Sequence, residues 1–305
     1  IVAQIIVSVV VLMMTLSSCR HDEQIAIPEN NHVPEGYVSV SFRVDQSDMK
    51  EVNVRSVDPD GQDINTMKLF CFNAYGLFLA TTTAELTRGA EDNAGHHTQG
   101  TYKAAIPEET SIIHFVANQN EALYQNEDFV NKTEAQVLAA MEGASGMMIY
   151  WRRFAKDITS NDDIESQLAK LNNEKGIALI RNQAKVTIND WTSEWTGGSF
   201  TVTGYVTANI HAFGTVAPFC PTHGFAIYEW PVTDGHYSVT LPENKAMMSD
   251  IVDINTKSED YIFEHENTLD NPVSVIIKGK HNVGMDNEQS EDLYYRVMLM
   301  DGNGE

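Results

Sequence analysis

The chain has 305 residues, with 20 Lys and Arg against 43 Asp and Glu and a formal net charge of -23 at pH 7. That acidity repels polyphosphate and excludes a nucleic-acid partner. A hydrophobic content of 42% is enough for real cores, and the length suits two domains of about 150 residues each. The first element is an uncharged run, Ile1 to Ser18, whose firmly apolar part, Ile5 to Leu16, is only twelve residues. A spanning helix needs about 20. Twelve fit the h-region of an export signal with small residues before its cleavage point. Residues 20–36, polar and carrying Pro28, Pro34 and Gly36, read as a tether.

YVSVSFRV, residues 37–44, alternates strictly: Val38, Val40, Phe42 and Val44 fall on one face, and Tyr37, Ser39, Ser41 and Arg43 on the other. This is the pattern of a half-buried strand. A polar connector follows from Met49 to Asp63, with Arg55 and a turn at Asp58-Pro59-Asp60-Gly61. INTMKLFCFNAYGLFLATTT reads as two strands about a turn near Asn73 to Gly76, and residues 85–100 as a glycine- and charge-rich loop. TYKAAIP and SIIHFVAN are strands. NKTEAQVLAAMEG has helix formers behind a Thr133 cap, with Gly143 as its terminator. Met147 to Lys175 mixes signals and takes no assignment. From Ile177 the β pattern returns in IALIRNQAKVTIND, GSFTVTGYVTANI, FAIYEWP, HYSVTLP, YIFEHEN, PVSVIIKGK and LYYRVMLMD. Many short strands with turn signals between them predict β-sandwiches. The expectation is an all-β chain, mainly β with a short helix, with domains over 37–175 and 176–305.

Signals for catalysis or metal binding are weak. No HExxH, CxxC, GxSxG or P-loop spacing occurs. His96 and His97 are adjacent, so on a strand they would point to opposite faces. His114 and His265 read as ordinary strand residues, and Asp260, Glu264 and Glu266 as the neighbours expected by chance in so acidic a chain. Cys71 in KLFCFN and Cys220 in APFCP sit in apolar settings and are expected as buried free thiols. No enzyme activity, cofactor or metal is expected.

Two resemblances give these elements a context. Leu16-Ser17-Ser18-Cys19 resembles the lipobox of bacterial lipoproteins, in which the cysteine becomes the lipidated first residue of the mature chain. His21, Asp22 and Glu23 are similar to the acidic tag that sends Bacteroidetes lipoproteins to the cell surface. Since the sequence opens without Met or a basic region, the start of such a signal is expected to precede Ile1. Further on, Ile64 to Asn73 followed by Gly76 resembles the opening of the FimA-type fimbrillins. Ile106-Pro107 with HFVAN, residues 114–118, is similar to their proline turn and apolar strand. Arg181-Asn182-Gln183-Ala184-Lys185-Val186 resembles the start of their second domain. Phe263 to Thr268 is similar to their strand ending in Glu-Asn-Thr, and Tyr294-Tyr295-Arg296-Val297 to their tyrosine-rich strand near the C-terminus.

The fimbrillin resemblance implies two tandem Greek-key, transthyretin-like β-sandwich domains, the second continuing beyond Glu305. It implies a subunit of a cell-surface fimbria at the outer membrane, as stalk, tip or anchor. Cys19 would carry the membrane lipid. An arginine-specific surface protease would cut at Arg55, or at Arg43 inside the strand. The strand with Val38, Val40, Phe42 and Val44 on its core face would then leave, and a strand of another fimbrial subunit would take its place by β-augmentation. A host or bacterial receptor completes the implied partners. The alternative is a surface glycan-binding lipoprotein, with Trp191 and Trp195 flanking a turn-like NDWTSEWTGG as its stacking pair.

Overall fold

The computed structural model describes residues 33–45, 64–91, 97–119, 124–144, 148–174, 176–189, 200–218, 239, 246–256, 259–264, 267, 270–281 and 292–299. The signal segment with Cys19, the connector with Arg55, Cys220, Trp191, Trp195 and FAIYEWP lie outside them.

The alternating stretch forms β1 (Tyr37–Asp45). The next two apolar runs form β2 (Met67–Phe72) and β3 (Phe78–Thr83). Asn73 makes the turn between them: its side-chain oxygen accepts from the N–H groups of Tyr75 and Leu77 at 2.9 and 3.0 Å. Gly76 supplies the left-handed residue, with φ 69°. The expected loop over 85–100 is instead largely strand, β4 (Glu85–Glu91) and the start of β5 (His97–Pro107). Register shifts between Leu86 and Arg88 and between Ala90 and Glu91 break the alternation that would have revealed β4. β6 (Ile112–Ala117) is followed by α1 (Asn126–Phe129) and α2 (Glu134–Ala140).

Thr133 caps α2 in a capping box with Gln136. The helix stops at Met141, and Gly143 does not end it but lies in β7 (Glu142–Ala144). A Cβ on Gly143 would come within 2.4 Å of Asn182 Nδ2, so packing accounts for this glycine. The unassigned stretch contains β8 (Tyr150–Ala155) and α3 (Ile164–Glu174). The described residues thus hold three helices where one was expected.

Two sheets make the first sandwich, one in the order β4-β5-β1-β9 and one in the order β10-β8-β6-β2-β3, where β9 is Ile177–Ala178 and β10 is Ile180–Arg181. Val40, Phe42, Val44, Met67, Leu69, Tyr102, Ile106 and Phe115 fill the space between them. β9 runs parallel to β1, with Val44 opposite Ile177. β10 pairs with β8, with Ile180 opposite Trp151. Both follow the expected boundary at 175 and pair with strands that precede it.

The outer face of the second sheet is also buried. Phe70, Phe72, Val116 and Trp151 pack against Phe129, Val137 and Leu138, and against Val216, Ala217 and Val239 from later in the chain. Burial on both faces is the physical reason that MKLFCF and IIHFVA are apolar at every position but Lys68 and His114.

The second half contains β11 (Gln183–Thr187), β12 (Phe200–Ile210), β13 (Phe213–Thr215), β14 (Met247–Met248), β15 (Val252–Asp253), β16 (Glu259–Phe263), β17 (Ser274–His281) and β18 (Asp292–Met298). β11 pairs with β16, while β14, β12, β17 and β18 form a larger sheet with β15 beside β12. Tyr205 Oη donates to the Glu259 carbonyl at 2.9 Å and Thr207 Oγ1 to Asp260 at 2.6 Å, tying the two sheets together. β13 pairs with β7 of the first half. That ladder runs beneath Phe263, and a Cβ on Gly214 would lie 2.6 Å from its ring. The fold is all-β, two tandem sandwiches with helices added to the first.

Candidate strand-exchange site

β1 is built to be held from three directions. Along its inner edge it pairs antiparallel with β5 from Tyr37 opposite Pro107 to Val44 opposite Gly100. On its core face Val40, Phe42 and Val44 are completely buried and Val38 is partly so. Across the ladder Phe42 opposes Tyr102, Val40 opposes Ala104 and Val38 opposes Ile106. The Phe42 ring stacks on Tyr102 at 5.7 Å between centroids and meets Phe115 edge-on at 4.7 Å. Burying such a face is worth about 1.5–3 kcal/mol per fully buried side chain, so this face dominates the hold on the strand. At its start, Tyr37 N–H donates to the Pro34 carbonyl at 3.1 Å and Glu108 N–H to the Gly36 carbonyl at 3.0 Å.

The third direction is the outer edge. Among the described residues, only Val44 and Asp45 meet a strand there, the two-residue β9. Upstream of them, Asn172 of α3 takes the place of a strand: its Oδ1 accepts the Arg43 N–H at 2.7 Å, and its Nδ2 donates to the Ser41 carbonyl at 2.8 Å. After α3 the chain turns at Gly176, with φ 78° and its N–H donating to the Leu171 carbonyl at 2.7 Å. A Cβ there would sit 2.8 Å from the Arg43 carbonyl oxygen. No sequence signal pointed to Asn172, because a polar residue late in a helix normally faces water.

Arg43 is half-buried within this clasp, and its buried Nε has no hydrogen-bond partner. A protease needs an extended, accessible segment, and Arg43 is not one while β1 is in place. Tyr102 carries a second orphan. Its buried Oη has no hydrogen-bond partner, and burial pushes its pKa up to about 12. Cys71 is buried and free, and burial raises its thiol to about 12 against a hydrogen bond with Thr110.

The opposite face of the second sheet holds a buried polar cluster that sequence reasoning missed. His114, read as an ordinary strand residue, contacts Glu134 of α2 through Nε2 at 2.8 Å. Arg153 of β8 grips the same carboxylate, with Nε at 2.5 Å and Nη2 at 3.1 Å, and all three side chains are buried. Burial alone would raise the Glu134 carboxyl, but hydrogen bonds from His114 and Arg153, with the guanidinium charge, hold it down to about 2. The cluster pins α2 to the sheet. Among the described residues no group of three or more His, Cys, Asp or Glu is placed to hold a metal ion, and Trp151 packs inside the core.

No protein-family model and no curated protein matches the chain. Among solved structures it is similar to a fimbrial assembly protein of Parabacteroides distasonis, at 12% identity and a TM-score of 0.49 over 86% of each chain. It is also similar to the tip fimbrial protein Mfa3 of Porphyromonas gingivalis with C-terminal truncation, at 11% identity and a TM-score of 0.48, over 87% of this chain and 83% of that one.

Proposed function

We propose that this protein is a structural subunit of a cell-surface fimbria, serving as stalk, tip or anchor, and that β1 is a removable strand. In this reading the chain is exported as a lipoprotein and held at the outer membrane through Cys19. An arginine-specific protease cuts the connector at Arg55, since Arg43 is clasped. Once cut, β1 is tied to the domain by non-covalent contacts alone and its departure becomes irreversible. The vacated β5 edge, with Tyr102, Ile106 and Phe115 exposed behind it, is then filled by a strand of the next subunit, and the fibre supports adhesion.

The observation that carries the reading is the construction of β1. It is an intact, core-filling strand of eight paired residues whose outer edge is met by one side chain and a two-residue strand. A strand in the middle of a sheet could not leave without breaking two ladders. β1 breaks one. The test is to treat the purified protein with an arginine-specific protease and run it unboiled on a denaturing gel. A ladder of multimers is expected, lost in the Arg43→Ala, Arg55→Ala double variant. A monomer band alone, with β1 cleaved and gone, would contradict the proposal.

A further inference from the structure

We infer that Asn172 is a positioning residue that grips whatever strand occupies the β1 position through its backbone, and so regulates strand release and capture. As regulation, this rests on the reading of β1 as an exchanged strand. The geometry behind it stands alone. The C=O of one strand residue and the N–H of the residue two further on point to the same edge, where a parallel neighbouring strand would meet them with the N–H and C=O of one residue. Asn172 meets Ser41 C=O and Arg43 N–H with a side-chain amide that has the same donor and acceptor. Both groups it bonds belong to the backbone of β1. The grip is therefore blind to sequence: any strand seated in this register offers the same two groups at the same place.

Sequence selection then belongs to the other face, where Tyr102, Ala104 and Ile106 set the sizes that fit. Gly176 fixes the distance of the clasp, because any side chain there would push against the Arg43 carbonyl. The division of labour is specific. The apolar face chooses the strand, and the amide of Asn172 sets how long it stays.

The experiment is site-resolved amide hydrogen exchange on the intact, uncleaved protein and its Asn172→Ala and Asn172→Asp variants. Ser41 C=O and Arg43 N–H face outward, so by alternation the Val40 and Phe42 amides face β5 and report strand opening rather than loss of the clasp itself. In Asn172→Ala their exchange should quicken about tenfold, the size expected for one or two hydrogen bonds. Asn172→Asp keeps an acceptor for Arg43 N–H and loses the donor to Ser41, and should fall between. The Leu69 and Phe115 amides of the facing sheet should not change. If Arg43 alone quickens, or if every amide quickens equally, the inference is overturned. A second arm compares the heat stability of protease-induced ladders, which the Ala variant should lower; equal stability would overturn the captured-strand half. Should the exchange result appear with no ladder in any variant, the clasp stands and the fimbrial proposal falls.

Discussion

The indole Nε1 of Trp151 donates to Nδ1 of His114 at 2.9 Å inside the core, and this fixes the histidine's tautomer. An indole nitrogen can only donate, so Nδ1 must accept and carries no proton. The ring proton sits on Nε2, where it is given to Glu134. A strand residue thereby becomes a one-way link from β8 to α2. Nitrogen NMR at neutral pH should show His114 as the neutral Nε2–H tautomer. Trp151→Phe, which withdraws the donor, should cost about 1–3 kcal/mol in urea unfolding. An Nδ1–H signal, or no change in stability, would contradict the arrangement.

Glu134 gives the acid dependence. Its pKa is lowered from 4.5 to about 2 in the fold, so the unfolded chain binds its proton more readily than the folded one. The stabilisation is fully present above about pH 4.5 and is lost as pH falls from there toward 2. Wild-type protein should weaken by a few kcal/mol across that window. Glu134→Gln should lack this part of the slope and be less stable at pH 7 by about 3–5 kcal/mol, because Arg153 is left buried without its counter-charge. Identical acid slopes for the two proteins would sink this account.

Tyr102→Phe should stabilise the protein. Its hydroxyl is buried without a hydrogen-bond partner, a cost of about 1–3 kcal/mol that the phenyl ring does not carry. The same change should slow release of β1 after cleavage, since departure of the strand would otherwise let the hydroxyl reach water. Calorimetry reads the first effect and stopped-flow tyrosine fluorescence, from the remaining tyrosines, the second. A Tyr102→Phe protein that melts lower than wild type would show that the hydroxyl is satisfied.

What could be read from the residues follows from which forces act locally. β1 was legible because one face is apolar and the other polar, and β2 and β6 because their apolar content is dense. β8 was not, since YWRRFA carries two arginines, one of them buried only because Glu134 arrives from α2. α3 was hidden for the opposite reason: IESQLAKLNNE has only Ile164, Leu168 and Leu171 to mark its inner face. β9 and β10 are two residues each, too short for any period, which is why the expected boundary fell before them. The core face of the candidate site was likewise legible as Val38, Val40, Phe42 and Val44. Its outer clasp was not, because the contact between Asn172 and Arg43 spans 129 positions and exists only once α3 has docked.

The claim that β1 is a replaceable strand is tested most directly by competition. Protein cleaved with an arginine-specific protease is mixed with a peptide of sequence YVSVSFRV, or with the same peptide carrying Asp at the positions of Val38, Val40, Phe42 and Val44. The account predicts that excess YVSVSFRV refills the vacancy and suppresses the ladder of multimers, while the Asp peptide, which would bury four charges against the core, leaves it intact. Ladders that form equally with both peptides, or a β1 fragment that stays bound after cleavage while multimers appear, would contradict it.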